Sequence, residues 1–71
     1  MTNTELLKEK IKESGLKVTA IAEKTGINRV TLYNKISGKN EFMASEIVAL
    51  SNLLGLTTEE REAIFFAAKV E

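Results

Sequence analysis

A glycine interrupts a helical pattern of apolar residues near the middle of the chain, and this interruption restricts the folds that the chain can adopt. Residues 18–37 have the sequence VTAIAEKTGINRVTLYNKIS. Ile21 and Ala22 form an apolar stripe before the interruption, and Ala22 is small enough to let a second helix approach closely. Gly26 can adopt the left-handed conformation that ends a helix, and Asn28 can cap the next helix. The segment therefore predicts two short helices that meet at a steep angle.

The second of these helices separates its apolar from its polar side chains. At about 100° per residue, Leu32 and Ile36 fall on one side of the helix. Val30 and Asn34 fall roughly opposite, and Tyr33 flanks them. We therefore expect one side to enter the core and the other side to face outward.

Length and composition limit the function classes. The 71 residues suffice for one domain with a small core, and we predict a single domain over residues 1–71. The sequence contains no cysteine and no histidine, which excludes disulfides, Cys/His zinc sites and histidine acid–base chemistry. We expect no cofactor, no metal and no enzyme activity. No apolar run approaches the roughly 20 residues of a membrane span, so we expect no membrane insertion and a cytoplasmic location.

Cap and stop residues divide the chain into five predicted helices and no strand. Gly15 and Gly55 are suited to end helices, and Thr57 with Glu60 fits a capping box. Phe42 is expected to plug the loop before the fourth helix against the core. The predicted helices are one capped by Asn3 or Thr4 and ending near Ser14, two over residues 18–24 and 29–37, one from about Ala44 to Gly55, and one running from Thr57 toward Val70.

Positive and negative charges are separated along this chain, although its formal net charge is zero. Residues 24–40 contain four cations and no acid, which gives +4. Residues 41–62 contain five glutamates against one arginine, which gives −4. The positive segment coincides with the interrupted helical pattern, so that surface can attract phosphates even though the whole molecule is neutral.

The segment VTAIAEKTGINRVTLYNKISGK resembles the helix-turn-helix of phage Cro and repressor DNA-binding domains, the Xre family of bacterial regulators. The resemblance covers about residues 6–56, and Thr25 and Lys35 stand where the family usually has apolar residues. It implies a compact, all-α, five-helix fold of the lambda-repressor type. It also implies a sequence-specific transcriptional regulator, a Cro-like phage or prophage repressor that binds a palindromic double-stranded DNA operator as a homodimer. The matching positions include Ile21, Ala22, Gly26, Ile27, Leu32, Ile47, Leu50 and Gly55.

The resemblance also implies roles for individual residues, because the second helix of such a motif enters the major groove. Arginine can bond guanine, asparagine can bond adenine, and valine or threonine methyl groups can pack on a thymine methyl. The implied base contacts are Arg29, Val30, Thr31, Tyr33 and Asn34. The implied phosphate contacts are Lys17, the amides beginning at Val18, Asn28, Lys35, Ser37, Lys39 and Asn40.

The last predicted helix has more apolar surface than one buried stripe requires. We consider two interpretations, a core helix with a ragged edge and a dimer interface anchored by Ile64 and Phe65. A protein-interaction module that uses Ile64, Phe65 and Phe66 is the alternative function from another class. Within the DNA-binding class, the alternatives are the isolated DNA-binding half of a longer repressor and an antitoxin-type regulator.

Overall fold

The computed structural model describes residues 1–66 of the chain, and these residues form five α-helices and no strand. The five-helix, all-α prediction is therefore confirmed for this part of the chain. The helices are α1 (Thr4–Ser14), α2 (Val18–Thr25), α3 (Arg29–Ile36), α4 (Ala44–Leu54) and α5 (Thr58–Phe65).

Local caps and stops set the ends of the helices, as the sequence predicts. Asn3 caps α1, because its Oδ1 accepts a hydrogen bond from the Leu6 amide at 3.1 Å. Thr57 and Glu60 form the expected capping box, in which Thr57 Oγ1 accepts from the Glu60 amide at 3.1 Å and Glu60 Oε1 accepts from the Thr57 amide at 2.9 Å. Gly55 ends α4 in the left-handed conformation, with φ of 64°.

Two helix ends differ by one residue from the prediction. α2 continues to Thr25, whose hydroxyl donates to Ile21 O at 2.7 Å and so is satisfied inside the helix. α3 ends at Ile36, and Ser37 serves as its C-cap. The predicted continuation of the last helix toward Val70 falls on residues 67–71, which lie outside the described residues.

Each helix contributes one fully buried aliphatic side chain to a common core. These side chains are Leu7, Ile21, Leu32, Leu50 and Ile64. α2 packs against α3 and α4, and α1 packs against α3, α4 and α5. Burial of such a side chain stabilises the fold by about 1.5–3 kcal/mol. α3 contributes Leu32 to this core and packs against α2 and α1.

The predicted dimer anchors Ile64 and Phe65 are part of this core, so that prediction is wrong. Ile64 is fully buried and Phe65 is 5% exposed. The Asn3 amide donates to Ile64 O at 2.6 Å, which holds α5 against the start of α1. Side chains that are already packed inside the monomer cannot be presented to a second copy. Phe42 packs against the core as expected, and Phe66 is the exposed aromatic residue of this region.

Candidate nucleic-acid interface

The turn that joins α2 to α3 is built from local backbone conformations. Gly26 has φ of 78°, and its amide donates to Ala22 O at 2.9 Å. A residue with a Cβ atom is strained in this conformation, so glycine suits the position. The predicted stop at Gly26 is confirmed, and it places the two helices within three residues of each other.

Asn28 caps α3 and so determines where this helix begins. Its Oδ1 accepts hydrogen bonds from the amides of Val30 and Thr31 at 2.9 and 3.2 Å. The predicted cap is confirmed. The carbonyl oxygen of the Asn28 side chain is occupied, which leaves its two amide hydrogens as the groups that can donate to a phosphate. Arg29, the first residue of α3, is exposed directly beside this cap.

The side of α3 that faces away from the core carries the predicted base contacts Arg29, Val30 and Tyr33 in exposed positions, with Thr31 and Asn34 at its half-buried edges. Val30 is 65% exposed and Tyr33 is 50% exposed. Leu32 and Ile36, on the other side of the helix, are buried. Val30 therefore has little packing role in the monomer, and its methyl groups are available to another molecule. We call the five residues of this side the recognition face, namely Arg29, Val30, Thr31, Tyr33 and Asn34, of which Thr31 and Asn34 are half-buried.

The first turn of α2 has no side-chain cap. Lys17 occupies the N-cap position without a side-chain hydrogen bond. The amides of Val18, Thr19 and Ala20 have no acceptor among the described residues. Unpaired amides at a helix N-terminus favour an anion. Lys17 is exposed beside them and adds a full positive charge.

The segment after α3 folds back onto the carbonyl oxygen of Asn34. That oxygen accepts from the amides of Lys39 and Asn40 at 2.9 and 3.3 Å. It also accepts from the Ser37 hydroxyl at 2.9 Å. The side chains of Lys39 and Asn40 are exposed next to the last turn of α3. Ser37 has already donated its hydroxyl hydrogen, so it would have to exchange this bond to contact a phosphate.

Lys35 does not point toward solvent, which corrects its predicted role as a phosphate contact. The residue is 8% exposed. Its Nζ donates to Glu46 Oε1 at 2.6 Å, and the same oxygen accepts from the Met43 amide at 2.7 Å. A lysine stem is long enough to carry its ammonium to the surface. In the folded chain a carboxylate on α4 binds that ammonium instead.

Glu46 is a residue of this region that the sequence analysis did not single out. Burial raises the pKa of its carboxyl, but hydrogen bonds from Lys35 and the Met43 amide, together with the Lys35 charge, lower that pKa by more. Glu46 is therefore ionised at neutral pH and balances the charge of Lys35. The available signal was its position three residues after the N-cap residue of α4, from which a glutamate side chain can accept a hydrogen bond from the N-cap amide.

The cations around the recognition face have no ion-pair partner within residues 1–66. The ion pairs of this part of the chain join Lys10 to Glu13 and Glu60, and Lys35 to Glu46. Glu46 balances the charge of Lys35. The remaining cations of residues 17–40 are all exposed, namely Lys17, Lys24, Arg29 and Lys39. Unpaired surface cations of this kind attract the phosphates of nucleic acid.

Other kinds of site find no support in the part of the chain that the structure describes. There, no three acidic, histidine or cysteine side chains are grouped so that they could hold a metal ion. None of the five helices is long and apolar enough to cross a membrane.

Comparison with known proteins agrees with this geometry. A family model described as helix-turn-helix matches residues 7–61, which is more than half of the 71-residue chain. The matched segment contains the whole of α2, the turn, α3 and α4. No curated protein and no solved structure matches the chain.

Proposed function

The chain belongs to this helix-turn-helix family, the Xre-type DNA-binding transcription regulators, and we propose that it is a Cro-like phage or prophage repressor of a palindromic operator. The observation that carries the proposal is the division of α3. Leu32 and Ile36 on its inner side are buried in the core. Val30 and Tyr33 on its outer side are at least half exposed. Arg29 on that side and Lys39 in the following loop are exposed cations without an ion-pair partner among residues 1–66. Such a helix presents hydrogen-bonding and apolar groups together, as base contacts in the major groove require.

The recognition face supplies side chains for direct contacts to bases. Arg29 can donate two hydrogen bonds to guanine, and Asn34 can pair with adenine. The methyl groups of Val30 and Thr31 can pack on a thymine methyl. Tyr33 has a ring for apolar contact and a hydroxyl for a base or a phosphate. These contacts would determine which sequence is bound.

Phosphate contacts on either side would hold α3 in register with the groove. We assign one set of these contacts to Lys17 and the unpaired amides that begin at Val18. We assign the other set to Lys39 and Asn40, whose backbone amides donate to the Asn34 carbonyl oxygen. The side-chain amide of Asn28 can add a contact between them. Lys35 has no part in this set, because its ammonium is bound to Glu46.

A homodimer is the expected binding form, since one recognition helix contacts only a few base pairs. Two copies would place their α3 helices in successive major grooves about 34 Å apart on one side of the duplex. Repression would follow when the dimer occupies a promoter and excludes polymerase. The protein concentration and the dimer equilibrium would set occupancy. The site of action would be the bacterial cytoplasm, where the DNA lies.

The alternative function, a protein-interaction module, was predicted from an apolar surface that the structure mostly buries. Two of its three residues, Ile64 and Phe65, are buried in the monomer core. Phe66 is the remaining exposed residue of the three. A single exposed aromatic side chain is normal on a protein surface and does not indicate a partner.

The decisive experiment is selection of bound sites from a random duplex DNA library. We expect an enriched palindrome whose half-site centres are separated by about 10 base pairs, one turn of the helix. A single unpaired half-site would contradict the dimer, and no enrichment would contradict sequence-specific binding.

A salt titration of binding to the selected site and to random duplex then tests the proposed contacts to phosphates. Affinity for both duplexes should fall steeply as salt rises, because phosphate contacts release counterions. A protein-interaction module would bind neither duplex at low salt.

A further inference from the structure

The end of α3 is tied to α4 by one ion pair. Lys35 Nζ and Glu46 Oε1 are 2.6 Å apart, and their side chains are 10% and 14% exposed. Within residues 1–66, this is the only hydrogen bond or ion pair that joins α3 to α4. The same Glu46 oxygen accepts from the Met43 amide. The ammonium of Lys35 is thus fixed to the first turn of α4 and not only to a mobile carboxylate.

Backbone packing alone constrains this end of α3 weakly. α3 packs mainly on α2 and α1, and its backbone approaches α4 less closely than that of α2 does. Lys35 lies in the last turn of α3, directly before Ile36. A polar link at this position therefore limits how far the last turn can rotate or shift relative to α4.

Lys35 also adjoins the groups that the proposed function uses. It follows Asn34, a residue of the recognition face, in the sequence. The Asn34 carbonyl oxygen anchors the amides of Lys39 and Asn40. A shift of the last turn would therefore move a base contact and two phosphate contacts together.

We propose that Lys35 and Glu46 are positioning residues, whose ion pair sets the orientation of the last turn of α3 and thereby the specificity of operator binding. This inference rests on the proposed function. Neither side chain contacts DNA in this scheme.

The energetics of buried ion pairs favour a role in geometry over a role in stability. Removal of two charges from water costs about as much as their attraction returns, so an apolar pair at the same place is often no less stable. A hydrogen-bonded ion pair is directional, whereas apolar contact is not. The pair therefore adds a defined orientation to a helix end that apolar packing alone would leave less determined.

The test is a double-variant cycle made of Lys35→Met, Glu46→Gln and the combination of both. Lys35→Met keeps the stem and removes the ammonium, and Glu46→Gln keeps an oxygen that can accept from the Met43 amide. Each single variant leaves one partly buried charge without its partner and should lower the stability of the fold. The double variant contains neither charge and should recover most of the stability, so it remains measurable even if a single variant fails to fold.

Affinity is measured for the selected operator and for random duplex at a temperature where each variant is folded. We expect the ratio of the two affinities to fall about tenfold in the single variants, a typical coupling between residues in contact. We expect it to stay low in the double variant although stability returns. Lys8→Met, which removes an exposed lysine of α1 without an ion pair, is the control and should keep the parental ratio.

Two results would overturn the inference. If the affinity ratio recovers together with stability in the double variant, the pair is merely structural. If Lys35→Met reduces the magnitude of the slope of log affinity against log salt by about one, Lys35 contacts a phosphate after all. Parental slopes in Lys35→Met and a persistently low ratio in the double variant support positioning.

A measurement without DNA keeps this inference separate from the proposed function. The exchange rate of the Lys39 amide, which bonds to Asn34 O, reports the last turn, and the Gly26 amide serves as an internal reference. Faster exchange of Lys39 alone in the double variant supports positioning, and unchanged exchange contradicts it. If the parental protein selects no operator, the proposed function fails whatever this measurement gives.

Discussion

The ring of Phe42 lies 5.4 Å from the ring of Phe65, at an interplanar angle of 82°. Aromatic rings favour this edge-to-face arrangement. Phe42 belongs to the loop between α3 and α4, and Phe65 is the last residue of α5. The contact therefore joins α5 to the loop that carries Lys39 and Asn40, the residues proposed to contact phosphates. It also adds to the burial of Phe65, which is 5% exposed.

The neighbouring residues Phe65 and Phe66 should respond oppositely to substitution. Phe65→Ala should lower the free energy of unfolding by about 3–5 kcal/mol, the usual cost of a deleted core ring. Phe66→Ala should change it by about 0.5 kcal/mol or less, because Phe66 is 54% exposed. Urea unfolding followed by circular dichroism measures both. A folded Phe65→Ala variant with parental stability but a weaker self-association would restore the dimer-interface interpretation.

Arg29→Ala and Asn34→Ala should each weaken binding to the selected operator by about 1–3 kcal/mol and relax the preference at one base pair. The reason is that each side chain is proposed to bond one base. Competition binding against operators that carry single base changes measures the effect. Parental affinity and specificity in both variants would mean that α3 is not the recognition helix.

Lys39→Ala should weaken binding to all duplexes alike. A phosphate contact carries no sequence information, so operator and random DNA lose the same factor. The slope of log affinity against log salt is negative, and its magnitude should decrease by about one. Titrations at several salt concentrations measure it. A loss confined to the operator would instead assign Lys39 to a base.

Acid should destabilise the fold through Glu46 and Glu60. Burial opposes ionisation of Glu46, but its hydrogen bonds and the Lys35 charge leave its pKa below the ordinary 4.5. A hydrogen bond from Lys10, followed by one from the Thr57 amide, lowers the pKa of Glu60. A carboxyl whose pKa is lower in the folded state stabilises the fold above its unfolded pKa. That stability is lost as pH falls through the folded pKa values.

Urea midpoints from pH 7 down to pH 3 measure this dependence. We expect a plateau at neutral pH and a decline that begins near pH 4.5, the ordinary pKa of a glutamate. The variant Glu60→Gln should be less stable than the parent at pH 7 and should lose less stability on acidification. An equal loss in both proteins would show that Glu60 does not contribute.

Local signals in the sequence were sufficient to predict the helices and the turn. Asn28 and Thr57 cap helices through bonds to residues two or three positions away. Gly26 ends α2 through its own backbone conformation. Leu32 and Ile36 were placed in the core by helical spacing, and both are buried. These features depend on near neighbours, so the order of residues determines them.

The partners of Lys35 and Phe65 could not be predicted in this way. Lys35 pairs with a residue 11 positions away, and Phe65 packs on a residue 23 positions earlier in the chain. Helical spacing shows which side chains share a face, but not what that face will meet. The lysine was therefore expected at a phosphate and the phenylalanine at a dimer interface.

The sequence by itself determined the helix-turn-helix, the caps of its helices and the outward position of Val30, because these follow from bonds and periodicity within a few residues. Only the tertiary structure decided that Glu46 neutralises Lys35 and that Phe42 covers Phe65. The physical reason is that both contacts join distant segments, and such contacts form only where the common core brings the helices together.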